Sequence, residues 1–174
     1  MEIRLAAGAG AGPTTLAAYD AALREIGVAN HNLIRLSSVI PPGSVLTQHP
    51  GSVLPPGGWG DRLYVVTADA RTDLPGTDAW AGVGWAQDPH TGRGLFVEHE
   101  GHSEAQVTAD IAATLTSMRR GRGTLGEQLT DQQMLVSGIS CTDEPVCAVV
   151  VAVFGAESWP CPALQMPPAA GLCP

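Results

Sequence analysis

At 174 residues and 44% hydrophobic content, the chain has enough apolar side chains for one ordinary domain with a real core, and too many for wholesale disorder. Its formal net charge of −8 argues against a nucleic-acid surface, which needs clustered Lys and Arg to replace phosphate counterions, and makes a cationic small molecule the more natural guest. The opening M-E-I-R-L has no basic stretch ahead of an apolar one, and the longest apolar run, Cys147–Ala156, is about half of what a membrane-spanning helix needs. The expectation is a cytoplasmic protein with no membrane partner.

Ile3 and Leu5 begin a strand that runs into G-A-G-A-G-P, residues 8–13, which reads as a flexible strand-to-helix turn. It is not a phosphate cradle. A Walker loop needs Lys and then Ser or Thr after its last Gly, where Pro13-Thr14-Thr15 stand, and the last Gly of a dinucleotide fingerprint would fall at Pro13 or Leu16. Pro13 suits the first turn of a helix whose apolar stripe is Leu16, Tyr19, Leu23 and Ile26 and which Gly27 ends; Asp20 sits beside that stripe. Asn32–Ile40 then alternates as a strand, with Asn32, Ile34, Leu36 and Ser38 on one face and Leu33, Arg35, Ser37 and Val39 on the other. Pro41-Pro42-Gly43 stops it, and residues 44–61 read as loop.

Arg62–Asp69, Ala79–Ala86 and Gly94–Glu100 are further strands between turn signals. Ser103-Glu104-Ala105-Gln106 is a capping box that opens a helix with the stripe Val107, Ile111, Leu115 and Met118, and Arg119, Arg120 and Arg122 close it by complementing the helix dipole. Met134–Ile139 and Val146–Phe154 are expected to form a closing hairpin of buried strands, with Cys141 and Cys147 bracketing its turn. With no C-x-x-C, these thiols and Cys161 and Cys173 are expected to stay reduced. The His99–His102 stretch H-E-G-H lacks a third spaced ligand, so no metal is expected. The order β-α-β-β-β-β-α-β-β implies an α+β assembly of mixed or antiparallel sheets with helices outside, covering residues 1–155, and a Pro-rich tail over 156–174.

The only Ser-Ser pair, Ser37-Ser38, stands at the end of an apolar strand, where two hydroxyls are out of character. A hydroxyl one bond beyond a peptide carbonyl can attack it and convert the amide to an ester when the backbone is strained and the oxyanion is held. Elimination from that ester and hydrolysis leave a pyruvoyl group heading a new chain at residue 38.

The stretch N-L-I-R-L-S-S-V-I-P-P, residues 32–42, resembles the processing signature N-L-[IV]-[RK]-[IVL]-S-S-[IV]-[LIM]-P-P of the pyruvoyl-dependent arginine decarboxylases. L-A-A-Y-D-A-A-L-R-E-I-G-V, Leu16–Val28, is similar to the family's L-x-A-F-D-x-A-L-x-x-A-G-I, and F-V-E-H-E-G, Phe96–Gly101, to its M-E-Y-E-G. The resemblance implies a four-layer αββα sandwich that cuts itself into residues 1–37 and 38–174 and assembles as a trimer or hexamer with sites at subunit interfaces. It also implies conversion of L-arginine to agmatine and CO2 through a Schiff base on the covalent pyruvoyl group. Position by position, it makes Ser38 the pyruvoyl precursor, Ser37 the new C-terminus and Asn32 the support of the cleavage site. Glu98 becomes the catalytic carboxylate, Asp20 the acceptor of the substrate guanidinium and Leu23 part of the pocket wall.

Where the family commonly writes G-x-G-N-x-N, this chain has Gly27-Val28-Ala29-Asn30-His31-Asn32. Ala29 and His31 therefore fall on the pocket lining, where a methyl and an imidazole change its width and polarity. A pyruvoyl decarboxylase of another amino acid, and a non-cleaving member that only binds a cationic metabolite, stay open at this point.

Overall fold

The structure is a computed structural model that describes residues 1–49 and 58–160. In chain order its elements are β1 Glu2–Ala11, α1 Thr15–Glu25, β2 Asn32–Arg35, β3 Val39–Ile40, β4 Val45–Gln48, β5 Arg62–Thr72, β6 Asp78–Gln87, β7 Gly94–Gly101, α2 Glu104–Arg120, α3 Thr124–Glu127, β8 Asp131–Ser140 and β9 Val146–Glu157. They form two sheets, a first in the order β2-β5-β9-β1-β4 and a second in the order β3-β7-β6-β8. The architecture is mixed α+β, as expected.

β9 shows how the layers arise. Val146, Ala148, Val150 and Ala152 point into an apolar cluster shared with Ala79, Ala81, Val83, Trp85 and Phe96 of the second sheet. Their alternates Cys147, Val149, Val151 and Val153 face Ala18, Ala22, Leu23 and Ile26 of α1. A strand buried on both faces reads as one continuous apolar run, which is why Cys147–Ala156 stands out in the sequence. On the far side of the second sheet, Val107, Ile111 and Leu115 of α2 close a third cluster. The sheets thus face each other, with α1 on the outer side of the first and α2 on the outer side of the second. Among the described residues no helix is long and apolar enough to cross a membrane.

Several sequence expectations need correction. The first four residues of the glycine run, 8–11, are not a turn but the end of β1, and Gly12 and Pro13 lead from it to the helix. Gly8 and Gly10 share the strand face on which α1 lies, with Gly12 just beyond it also against the helix, and a Cβ at Gly10 would stand 2.4 Å from the Ala22 nitrogen. The glycines are there for close approach of the helix. The helix answers with small residues, so Ala18 and Ala22 carry the buried face while Leu16 is 68% exposed. Reading the stripe by large apolar residues alone put Leu16 inside. Thr14 caps the helix, its hydroxyl accepting from Ala17 N at 3.1 Å, and Pro13 lies ahead of the cap rather than in the first turn.

The 32–40 strand is really two. β2 pairs parallel with β5, and β3 pairs antiparallel with β7, so the chain leaves one sheet for the other between them. Within the expected loop 44–61, β4 pairs parallel with β1, and residues 50–57 of that loop lie outside the described residues. β8 and β9 are not a hairpin: β8 pairs with β6, β9 with β1 and β5, and the Cys141–Cys147 segment crosses between the sheets. Both cysteines are buried free thiols, while Cys161 and Cys173 lie outside the described residues. Burial, with the Asp69 charge nearby, pushes the Cys147 thiol up to about 11. β9 runs to Glu157, and Trp159 beyond it lies over Arg62 with its Nε1 donating to Gly60 O at 3.0 Å.

Candidate active site

The Ser37-Ser38 pair sits at the crossing from one sheet to the other. Leu36 N donates to Val65 O at 2.9 Å, the last tie to the first sheet, and Phe96 N donates to Ser38 O at 2.9 Å, the first tie to the second. Between these anchors Val39 N donates to Ser37 O at 2.7 Å, closing a three-residue turn centred on Ser38. Ser37 is exposed and Ser38 half-buried. The Ser38 hydroxyl donates to Glu98 Oε1. β7 supplies that carboxylate because Leu95 pairs with Val39, which brings the following stretch of β7 past the serine. Two blocks separated by 60 residues in sequence meet here.

Beyond Glu98 the open edges of β5 and β7 enclose a cavity of about 330 Å³, lined by Arg35, Thr67, Asp69, Glu98, His99 and Glu100. Asp69 accepts from Arg35 at 2.8 Å and from Arg71 at 2.7 Å, so its charge is answered on both sides. Arg71 in turn lies 3.9 Å from the centre of the Tyr19 ring, tying α1 to this edge, and burial pushes the Tyr19 phenol above its ordinary range. The two histidines of H-E-G-H have separate partners: His99 Nε2 shares a 2.8 Å hydrogen bond with Thr114, and His102 Nδ1 lies 3.1 Å from Asp78 O.

The remaining sequence-named residues lie elsewhere on the chain. Asp20 is exposed and pairs with Arg24 one helical turn on, at 3.0 Å. Leu23 is buried among the residues between α1 and the first sheet, and Ala29 packs against that cluster. Both ring nitrogens of His31 are buried with no partner among the described residues. Asn32 Nδ2 donates to Gly60 O at 2.5 Å. None of these hydrogen-bonds Ser38 or Glu98, and none lines the cavity. Asn32 and Ser38 do not share a strand face, since β2 ends at Arg35.

Thr67 and Asp69 escaped the sequence reading. Their signal was present in T-A-D-A-R, Thr67–Arg71, where polar residues alternate along a strand whose other face is apolar.

The geometry therefore defines a class: an α+β protein in which a serine at a sheet-to-sheet crossing is held by a carboxylate at the mouth of a polar cavity. The comparisons name the family. The family described as pyruvoyl-dependent arginine decarboxylase matches residues 2–159. A pyruvoyl-dependent arginine decarboxylase of Halobacterium salinarum is 38% identical over 156 residues, covering 88% of this chain and 93% of that one. Those of Methanocaldococcus jannaschii and Pyrococcus abyssi are 33% and 28% identical, covering 68% and 85% of this chain and 72% and 90% of theirs. The chain belongs to the pyruvoyl-dependent arginine decarboxylase family, whose enzymes carry a covalent pyruvoyl group.

Proposed function

We propose that the protein cleaves its own chain between Ser37 and Ser38, derives a pyruvoyl group from Ser38, and converts L-arginine to agmatine and CO2. The observation that carries this reading is the meeting at one point of the Ser38 hydroxyl, the Glu98 carboxylate and the Val39 N–H. The Ser38 oxygen attacks the Ser37 carbonyl carbon. Negative charge then develops on Ser37 O, where the Val39 amide already donates, and the Ser38 nitrogen, taking up the proton that the hydroxyl gives up, leaves as an amine as the ester forms. These residues suit Ser38 as the precursor of the group.

Once in place, the pyruvoyl group supplies a carbonyl that condenses with the substrate amine and withdraws the electrons of the breaking carbon–carbon bond. The chain's own residues orient the substrate and move one proton. Glu98, at the cavity mouth, delivers that proton to the α-carbon after CO2 departs. Asp20 exchanges its exposed partner Arg24 for the substrate guanidinium, a planar group that a carboxylate binds through two charge-assisted hydrogen bonds.

Asp20, Leu23, Ala29, His31 and Asn32 do not converge on Ser38 within one chain. We therefore place the complete site between two copies of the four-layer αββα sandwich. One contributes Ser38 and Glu98, its neighbour Asp20 and Asn32, in a trimer or hexamer. A second reading, decarboxylation of another amino acid, is favoured by His31, whose imidazole has no partner among the described residues and stands where the family has a small apolar residue.

Intact mass under denaturing conditions tests the central claim. The expected result is two fragments, residues 1–37 and 38–174, with Ser38→Ala staying whole. A single species of 17.9 kDa after prolonged incubation of the unaltered protein would favour the non-cleaving reading.

A further inference from the structure

Cleavage between Ser37 and Ser38 would undo most of what holds residue 38 in place. Leu36 N, the last tie to the first sheet, goes with residues 1–37, and conversion of Ser38 removes the hydroxyl that donates to Glu98. Little is left on the other side. Phe96 N donates to Ser38 O at 2.9 Å, and β3 adds a ladder of two residues at the edge of the second sheet, Val39 on Leu95 and Ile40 on Gly94. Pro41 and Pro42 have no N–H to give, so the next backbone donor along the chain is Gly43, to Thr91 O at 2.7 Å. Among residues 38–43 only Ile40 is buried. It is 1% exposed, in the cluster between the sheets that also holds Phe96, and its Cδ1 would stand 3.1 Å from a Cβ placed on Gly94. Resting on the reading above, we infer that Ile40 is a positioning residue, the anchor that keeps the new chain end at residue 38 on the Phe96 N–H and beside Glu98 once the bond to Ser37 is gone.

A chain end frays unless something ties it down, and a two-residue ladder at a sheet edge opens easily. A buried side chain two residues from the end resists that opening, because the movement would carry its apolar surface into water. Before cleavage the same side chain matters less, since Leu36 N holds the chain to Val65 O from the other side of the serine pair. Ile40 therefore acts on turnover more than on cleavage, and it acts through residue 38.

The chain has two phenylalanines, so nitrogen-15 phenylalanine labelling of the full-length protein gives two amide signals, Phe96 and, as internal reference, Phe154 of β9. Hydrogen exchange of both amides is followed in cleaved protein and in uncut Ser38→Ala, each with and without Ile40→Ala. The expected result is that Ile40→Ala speeds Phe96 exchange roughly 10–100-fold in the cleaved protein and within about twofold in the uncut chain, with Phe154 unmoved in both. Turnover should follow, kcat for CO2 release falling roughly 10–100-fold with KM within about twofold, because misplacement at the reacting carbon slows the chemistry. Ile40→Val, which keeps most of the side chain, should show the same pattern at roughly 2–10-fold, and it decides the matter if the Ala variant does not fold. Ile111→Ala removes the same atoms from the α2 cluster and should lower Tm while leaving Phe96 exchange and kcat unchanged. Phe96 exchange that the Ile40 changes leave alone, or speed equally in cut and uncut chains, overturns the anchor role and leaves the proposed reaction standing. Unaltered protein that stays a single chain overturns both.

Discussion

Glu98 is asked to serve at two moments, and a single atom separates them. In the uncleaved chain it accepts the Ser38 hydroxyl hydrogen through Oε1; in the proposed turnover it would give a proton away. Glu98→Gln keeps an oxygen acceptor in the same place but has no acidic proton. We expect that variant to cleave into the two fragments at a rate close to the unaltered protein, while agmatine formation falls by roughly 10²–10⁴, the usual worth of a positioned acid. Glu98→Ala removes the acceptor as well and should also slow cleavage. Timed intact-mass spectra and radiolabelled CO2 release measure the two steps independently. A Gln variant with near-normal turnover would move the proton donor to Glu100 or His99, which line the same cavity and, unlike Asp69, are not paired with an arginine there.

At the scale of elements, the close fit of α1 on β1 rests on the absence of a side chain. A methyl at Gly10 would stand 2.4 Å from the Ala22 nitrogen and 2.7 Å from the Ala21 Cβ, whereas one at Gly155 meets nothing within 4 Å. Gly10→Ala should therefore lower stability by roughly 1–3 kcal/mol through overpacking, a fall in Tm of about 2–4 °C per kcal/mol for a chain of this size. Gly155→Ala should stay within about 0.5 kcal/mol, and thermal unfolding followed by circular dichroism compares them. The same glycines show what a linear reading loses. Their alternation with Ala at 8, 10 and 12 has the period of a strand, yet glycine content suggested a turn, because the neighbour that needs the space arrives only on folding. Periodicity found the type of nearly every long element, including the buried faces of β9 and α2. It did not tell which strands share a sheet, since β2 and β3, and likewise β8 and β9, are adjacent in sequence and lie in different sheets. The site divides the same way. Ser38 and Glu98, which the structure brings together, were named because each lies in a motif that resembles the family's. Thr67 and Asp69 were not, because what marks them is proximity to β7 across an open sheet edge.

For the whole molecule, the separation of the proposed site residues on one chain becomes a quantitative expectation about mixtures. Ser38→Ala destroys the half-site that carries the pyruvoyl precursor, and Asp20→Ala destroys the half that holds the guanidinium; each homo-oligomer alone should be inactive or nearly so. If every site joins Ser38 of one copy to Asp20 of its neighbour, random assembly of equal amounts of the two chains leaves intact both halves of about one interface in four, since each half is present with even odds. Co-expressed and co-purified mixed oligomers should then recover about a quarter of the unaltered specific activity, although neither parent works. Sites complete within one chain would give no recovery at any mixing ratio, because every Ser38 would still be joined to a mutated Asp20. The Asp20–Arg24 pair makes the outcome readable, since it is an exposed i,i+4 contact at 3.0 Å whose loss costs little stability, about 0.3–0.5 kcal/mol, so that failure to recover activity would reflect the placement of the site rather than collapse of the fold.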